Sequence, residues 1–180
     1  PWVYSKIEEG ALGQKAILKN AKIFGLVAVL LSIPMIFLSE ELIYFFIDKR
    51  YHYNIIIAPI MIFSSVCLFM GSLFTFILYY NEKATKYVTK ATTYGALINI
   101  ICSIILTQKF GIIGAITSLA FANLFIGVSK FLYAIKYLKK DYSFLSNFFY
   151  IFVIMLLGII SIHYNFSTFL KLGFALITTI

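Results

Sequence analysis

The chain has 180 residues, 62% of them hydrophobic and only 12% charged, and its mean hydropathy is +0.95. Soluble domains carry roughly 45–50% apolar and roughly 25% charged residues, so an ordinary soluble domain, a disordered tail and a coiled coil are all excluded. Fifteen basic against seven acidic residues give a net +8, but the basic ones fall between apolar runs, so membrane topology explains them and no nucleic-acid partner is expected.

A span needs about 20 largely apolar residues, since a helix rises about 1.5 Å per residue across about 30 Å of hydrocarbon. Residues 1–22 mix Lys6, Glu8, Glu9, Lys15, Lys19 and Lys22 with Gly10 and Gly13. They read as a helix end followed by an amphipathic cytoplasmic connector. Residues 23–39 are free of charge and form the first span, with Pro34 expected to bend it. Residues 40–53, EELIYFFIDKRYHY, are short, aromatic and charged at both ends, as an interfacial turn of helix would be. Residues 54–80 form a long, tilted second span with Pro59 in its first turn.

The polar run NEKATKYVTK precedes a third span over 91–108. A tight link, Gln108-Lys109-Phe110-Gly111, turns the chain into a fourth span over 110–129, which runs on towards Lys136, Lys139, Lys140 and Asp141. A fifth span lies near 145–162, ahead of His163-Tyr164-Asn165, and a sixth begins near Thr168 and is cut off. Helices are expected near 21–38, 54–80, 85–107, 111–139 and 145–163. The fold class is all-α, a polytopic transmembrane helix bundle of about six spans. It divides into the connector at 1–22, a four-span bundle at 23–140 and additional spans at 141–180. An opening at Pro1 and a close at Ile180 inside an apolar run read as a fragment of a longer membrane protein.

Basic residues set the expected orientation. Lys6, Lys15, Lys19, Lys22, Lys83, Lys86, Lys90, Lys130, Lys136, Lys139 and Lys140 fall on alternate connections, against Lys49, Arg50, Lys109 and Lys171 on the others. The residue 1 side is therefore the cytoplasmic side of a plasma membrane. Tyr79, Tyr80, Tyr87, Tyr133, Tyr137 and Tyr142 mark the inner boundary, and Tyr44, Tyr51, Tyr53 and Tyr164 the outer one.

Covalent chemistry has little material. His52 and His163 sit in outer connections, all seven acidic residues lie outside the spans, and Cys67 and Cys102 lie in apolar runs without metal-ligand spacing. Neither enzyme activity nor a cofactor or metal is expected. The third span carries a polar stripe instead. At 100° per residue Thr89, Thr92, Ala96, Asn99, Ser103 and Thr107 share an arc about 80° wide. Such a stripe is either hydrogen-bonding glue between helices or a cavity wall, and Asn99, near mid-bilayer, is the sharpest candidate for a cargo contact. The fourth span places Gly111, Gly114, Ser118 and Ala122 on one side, a ridge suited to close helix packing. Asn123 and Lys130 lie on the other. Lys130 either attracts an anionic cargo or snorkels to the inner interface, about 28 Å along the helix from Gly111. The candidate substrate-binding set is Asn99, Thr92, Ser103, Asn123 and Lys130.

Residues 95–124, GALINIICSIILTQKFGIIGAITSLAFANL, resemble the polysaccharide-transport branch of the MOP exporter superfamily, the Wzx-type repeat-unit flippases, at Asn99, Gly111, Gly114 and Ala115. The opening PWVYSKIEEG, with Pro1 and Gly10, is similar to that family as well, and so is the link ELIYFFIDKRYHYN, although Asp48-Lys49-Arg50 stand where the family often has a glycine. The resemblance spans residues 1–140. It implies the C-terminal portion of a two-lobed, alternating-access transporter whose N-terminal half lies outside this chain. The implied cargo is a polyprenyl-pyrophosphate-linked oligosaccharide, flipped to the outer leaflet for polysaccharide biosynthesis. A multidrug or toxin antiporter of the same superfamily is the alternative, and would call for an intramembrane carboxylate that these spans lack. A membrane enzyme of lipid-linked sugar metabolism ranks below it.

Overall fold

The computed structural model describes residues 2–46, 54–80, 82–138 and 145–163. Among them every element is a helix and there is no strand. Helices suit such apolar sequence, because a helix satisfies its own backbone polar groups. The first helix, α1 (Trp2–Glu8), ends just before Gly10 turns the chain at φ 71. The second, α2 (Ala11–Phe37), then runs without a break through the stretch expected to be a separate connector. Connector and first span are one helix because Ala11, Leu12, Gln14, Lys15, Ala16, Leu18 and Lys19 all favour helix, which outweighs the single Gly13. Lys15, Lys19 and Lys22 recur at helical spacing along it, and all three are exposed.

Pro34 closes α2 rather than bending its middle. It stands in the last turn, and the Leu38 N–H donates to its carbonyl at 2.9 Å just beyond the helix end. A proline so near the end disturbs only the backbone bond to Leu30. The short α3 (Ser39–Phe46) follows directly and matches the expected interfacial turn, with Glu40 and Glu41 in its first turn, where the helix dipole favours acids. Asn54 prepares the next helix. Its side chain accepts the Ile56 N–H at 3.1 Å and its carbonyl accepts the Ile57 N–H at 3.0 Å. The helix α4 (Ile57–Tyr80) then carries Pro59 in its first turn, where no backbone donor is needed.

Residues Glu82–Leu138 are helical except at Gly111, whose φ of 58 and ψ of −134 lie outside the helical region. The arms on either side are α5 (82–110) and α6 (112–138). Their side-chain pairs run in opposite senses. Leu106 lies against Gly114, Asn99 against Ser118, Gly95 against Ile126 and Tyr87 against Tyr133. Numbers rise on one arm as they fall on the other, which only an antiparallel hairpin does. Gly111 supplies the turn's positive φ, and Gly114 supplies close approach, since a Cβ there would stand 2.1 Å from the Leu106 carbonyl oxygen.

On its other side α6 packs along α4. Asn123 meets Ser64, Gly127 meets Gly71 and Phe131 meets Phe74, so these two helices run parallel. The last described helix, α7 (Leu145–His163), touches α2 at Gly158 and Ile36 and meets α4 edge-on through Phe152 and Phe63, whose ring centres are 5.8 Å apart. Half of α4's most apolar stretch is buried, and α4 packs against α2, α6 and α7, so α4 is the central post.

Three helical stretches are long and apolar enough to cross a membrane: Leu12–Phe37, Ile57–Tyr79 and Ala84–Lys136, the last folded back at Gly111. Within α7 the apolar stretch Phe149–Ile160 is shorter than these, so the described residues hold three such stretches and not the six spans expected. The sixth span expected from Thr168, the outer connection around Lys49, Arg50 and His52, and the residues Lys139, Lys140 and Asp141 lie outside the described residues.

The register sorts the charge. The first half of α2 lies beside the second half of α4 in a groove that holds Ile17, Ala21, Phe24, Leu73 and Phe76. The starts of α2 and α5 and the end of α6 therefore share one end of the bundle. Lys15, Lys19, Lys22, Lys86, Lys90, Lys130 and Lys136 gather there, while the Gly111 end holds Lys109.

Candidate functional site

Asn99, Thr92 and Ser103 lie on α5, where they bond across the hairpin or along their own helix. The Asn99 amide meets Ser118 across the hairpin, with Ser118 Oγ 3.0 Å from Asn99 Oδ1. Ser118 is fully buried, and its hydroxyl also donates to the Ala115 carbonyl at 2.7 Å. One proton does not serve two acceptors fully. Turning the Asn99 amide over lets its Nδ2 donate to Ser118 Oγ, so that both groups are satisfied. In either orientation Asn99 ties α5 to α6. Thr92 Oγ1 returns its proton to the Val88 carbonyl at 2.9 Å, and Ser103 stands 3.5 Å from Thr107. Thr89, Thr92, Ala96 and Thr107 are exposed, so the expected stripe borders the outside of the hairpin.

The helices α4 and α6 form a different polar place. Asn123 Nδ2 donates to Ser64 Oγ at 2.8 Å, and Ser64 is 3% exposed. This bond lines a groove of about 290 Å³ that also takes in Ser65, Ser72, Met61 and Leu119. Asn123 stands about 18 Å along α6 from Gly111, near the middle of that helix. Ser65 and Ser72 are exposed in the groove, and Ser72 returns its proton to the Leu68 carbonyl at 2.9 Å. Phe69 and Ser72 also border the groove between α2 and α4, so the two grooves adjoin on one face of α4.

Of the sequence candidates, only Asn123 reaches this groove. Lys130, also on α6, is 9% exposed and lies towards the lysine-rich end. The serines Ser64, Ser65 and Ser72 were not singled out, because α4 reads as a uniformly apolar span. The signal for two of them was present: Met61, Ser65, Leu68, Ser72 and Phe76 fall on one helical face, and all five are exposed. Among the described residues no group of His, Cys, Asp and Glu side chains is placed to hold a metal ion. The groove offers hydroxyls and one amide within apolar walls, which is a chemistry of hydrogen bonding and not of proton transfer or nucleophilic attack. No known protein family, curated protein or solved structure matches this chain.

Proposed function

We propose that this chain is the C-terminal portion of a multi-pass plasma-membrane transporter that flips a polyprenyl-pyrophosphate-linked oligosaccharide unit to the outer leaflet. The observation that carries the proposal is the groove between α4 and α6, which holds Ser64, Ser65, Ser72 and Asn123 midway along two apolar helices. Polar groups midway along a membrane helix must face protein, water or a polar ligand. A sugar chain is rich in hydroxyls, and uncharged donors and acceptors exchange bonds with it without holding it fast. The sequence resemblance at Asn99, Gly111, Gly114 and Ala115 supports the same reading. In this proposal the N-terminal half supplies the opposite wall, and the lysine-rich end faces the cytoplasm.

Ser65 separates cargo contact from packing, because it is exposed in the groove. Ser65→Leu fills the groove with an apolar side chain and suits insertion. In the full-length protein it is expected to lower surface polysaccharide while membrane abundance stays normal. Asn99→Leu removes an interhelical bond and is expected to lower output only in step with abundance. Measuring polysaccharide output against abundance for both variants is the test. Proportional behaviour of Ser65→Leu would remove the groove from the cargo path.

A further inference from the structure

Lys130 differs from the other lysines of its end. It is 9% exposed, whereas Lys86, Lys90 and Lys136 are exposed. On the α6 wheel it stands between Ile126 and Tyr133, which meet α5, and Gly127 and Phe131, which meet α4. Its stem thus enters the junction of three helices. Among the described residues Lys130 has no hydrogen-bond or ion-pair partner. Its ammonium is not sealed in, so the junction is open to the outside at this point. A lysine whose stem is packed among helices and whose ammonium reaches the outside presents a fixed positive charge at the bundle surface, which suits an anionic group there. Snorkelling alone leaves the head in water and unpaired, and does not require the three-helix junction.

The mouth of the junction is built from aromatic and basic groups. Tyr133, one turn beyond Lys130, stacks on Tyr87 with ring centres 4.5 Å apart, and Lys86 Nζ lies 5.7 Å from the Tyr87 ring centre. Lys130 stands about 28 Å along α6 from Gly111, which brings it to the level of lipid headgroups when the Gly111 turn lies at the opposite interface. We propose that Lys130, with Lys86 and the Tyr87–Tyr133 pair at its mouth, binds the phosphate of an anionic phospholipid headgroup. Basic pockets between membrane helices recognise such headgroups, and the apolar flank of α6 accommodates the acyl chains. This inference does not depend on the transport reading.

Native mass spectrometry of the full chain, titrated with phosphatidylglycerol and separately with phosphatidylcholine, tests it. The wild-type chain is expected to take up phosphatidylglycerol saturably and in preference to phosphatidylcholine. Lys130→Met is expected to weaken that binding about fivefold or more, the loss of one lysine near the membrane surface. Lys130→Arg keeps the charge and is expected to retain binding, and Lys19→Met, an exposed lysine of the same end, to change it by less than about twofold. The Met variant keeps an apolar stem, and an unchanged melting temperature in phosphatidylcholine shows that it is folded. Unchanged binding in Lys130→Met, an equal loss in Lys19→Met, or equal affinity for phosphatidylcholine would each overturn the proposal. Displacement of the lipid by inorganic phosphate in a Lys130-dependent manner would assign the site to a soluble phosphate and overturn the lipid as its occupant.

Discussion

Asn99 and Asn123 lie 24 residues apart in the sequence and do similar work on different helix pairs. Asn99 bonds Ser118 across the hairpin, and Asn123 bonds Ser64 between α6 and α4. Hydrogen bonds between membrane helices average about 0.6 kcal/mol and rarely exceed about 1.7 kcal/mol, because the unfolded chain in the bilayer also finds partners. A double-mutant cycle of Ser64→Ala and Asn123→Ala, read by thermal unfolding in detergent, is expected to return a coupling energy in that range. Additive single effects would mean that the two side chains do not interact. The sequence marked both asparagines, since an amide inside an apolar helix stands out by composition alone. It placed Ser118 on the packing ridge without pairing it with Asn99, and it did not mark Ser64. Which serine an amide meets depends on the offset between helices, and that offset is set by where Gly71 and Gly127 let the backbones touch. Ser65 and Ser72 were missed for another reason: a hydroxyl that bonds back to its own helix, as Ser72 does, costs an apolar span little.

The hairpin of α5 and α6 depends on two glycines that act by different means. Gly111 has open space where a Cβ would stand, but its φ of 58 with ψ −134 is a conformation that L-residues avoid. Gly114 has helical neighbours and no room, with the Leu106 carbonyl oxygen 2.1 Å from the Cβ position. Gly111→Ala is therefore expected to cost about 1–3 kcal/mol through backbone strain while the helix–helix spacing is kept. Gly114→Leu is expected to part the arms and reduce protease-resistant, inserted protein. A disulfide scan between α5 and α6 distinguishes them: pairs near Asn99 and Ser118 should still cross-link in Gly111→Ala and fail in Gly114→Leu. Equal cross-linking in both would contradict the steric role of Gly114. At this scale the sequence was informative. The turn at Gly111, the start of α4 near Asn54 and the extent of α7 all follow from apolar run length and turn chemistry. The merging of the connector into α2 was not legible, because charge marks where a helix leaves the hydrocarbon and not where it ends. Lys15, Lys19 and Lys22 continue the same helix on its exposed side.

Across the whole molecule, packing and charge agree on one axis. Parallel packing of α4 with α6 and antiparallel packing of α5 with α6 bring seven described lysines, from Lys15 to Lys136, to one end and leave Lys109 near the other. The order of basic residues along the chain leads to the expectation of such an asymmetry; of its opposite-side members only Lys109 lies among the described residues. The proposed reading makes this a membrane-spanning hairpin with its basic end in the cytoplasm. Such a hairpin must expose its turn to one side of the membrane and its open end to the other. Single cysteines at positions 86 and 109 of the full-length protein, treated with a membrane-impermeant thiol reagent in intact cells, test this most directly, in a background where Cys67 and Cys102 are replaced by alanine. Position 109 is expected to label from outside, and position 86 only after the membrane is permeabilised. Labelling of position 86 in intact cells, or equal labelling of both positions, would contradict a hairpin that crosses the bilayer with its lysine-rich end inside.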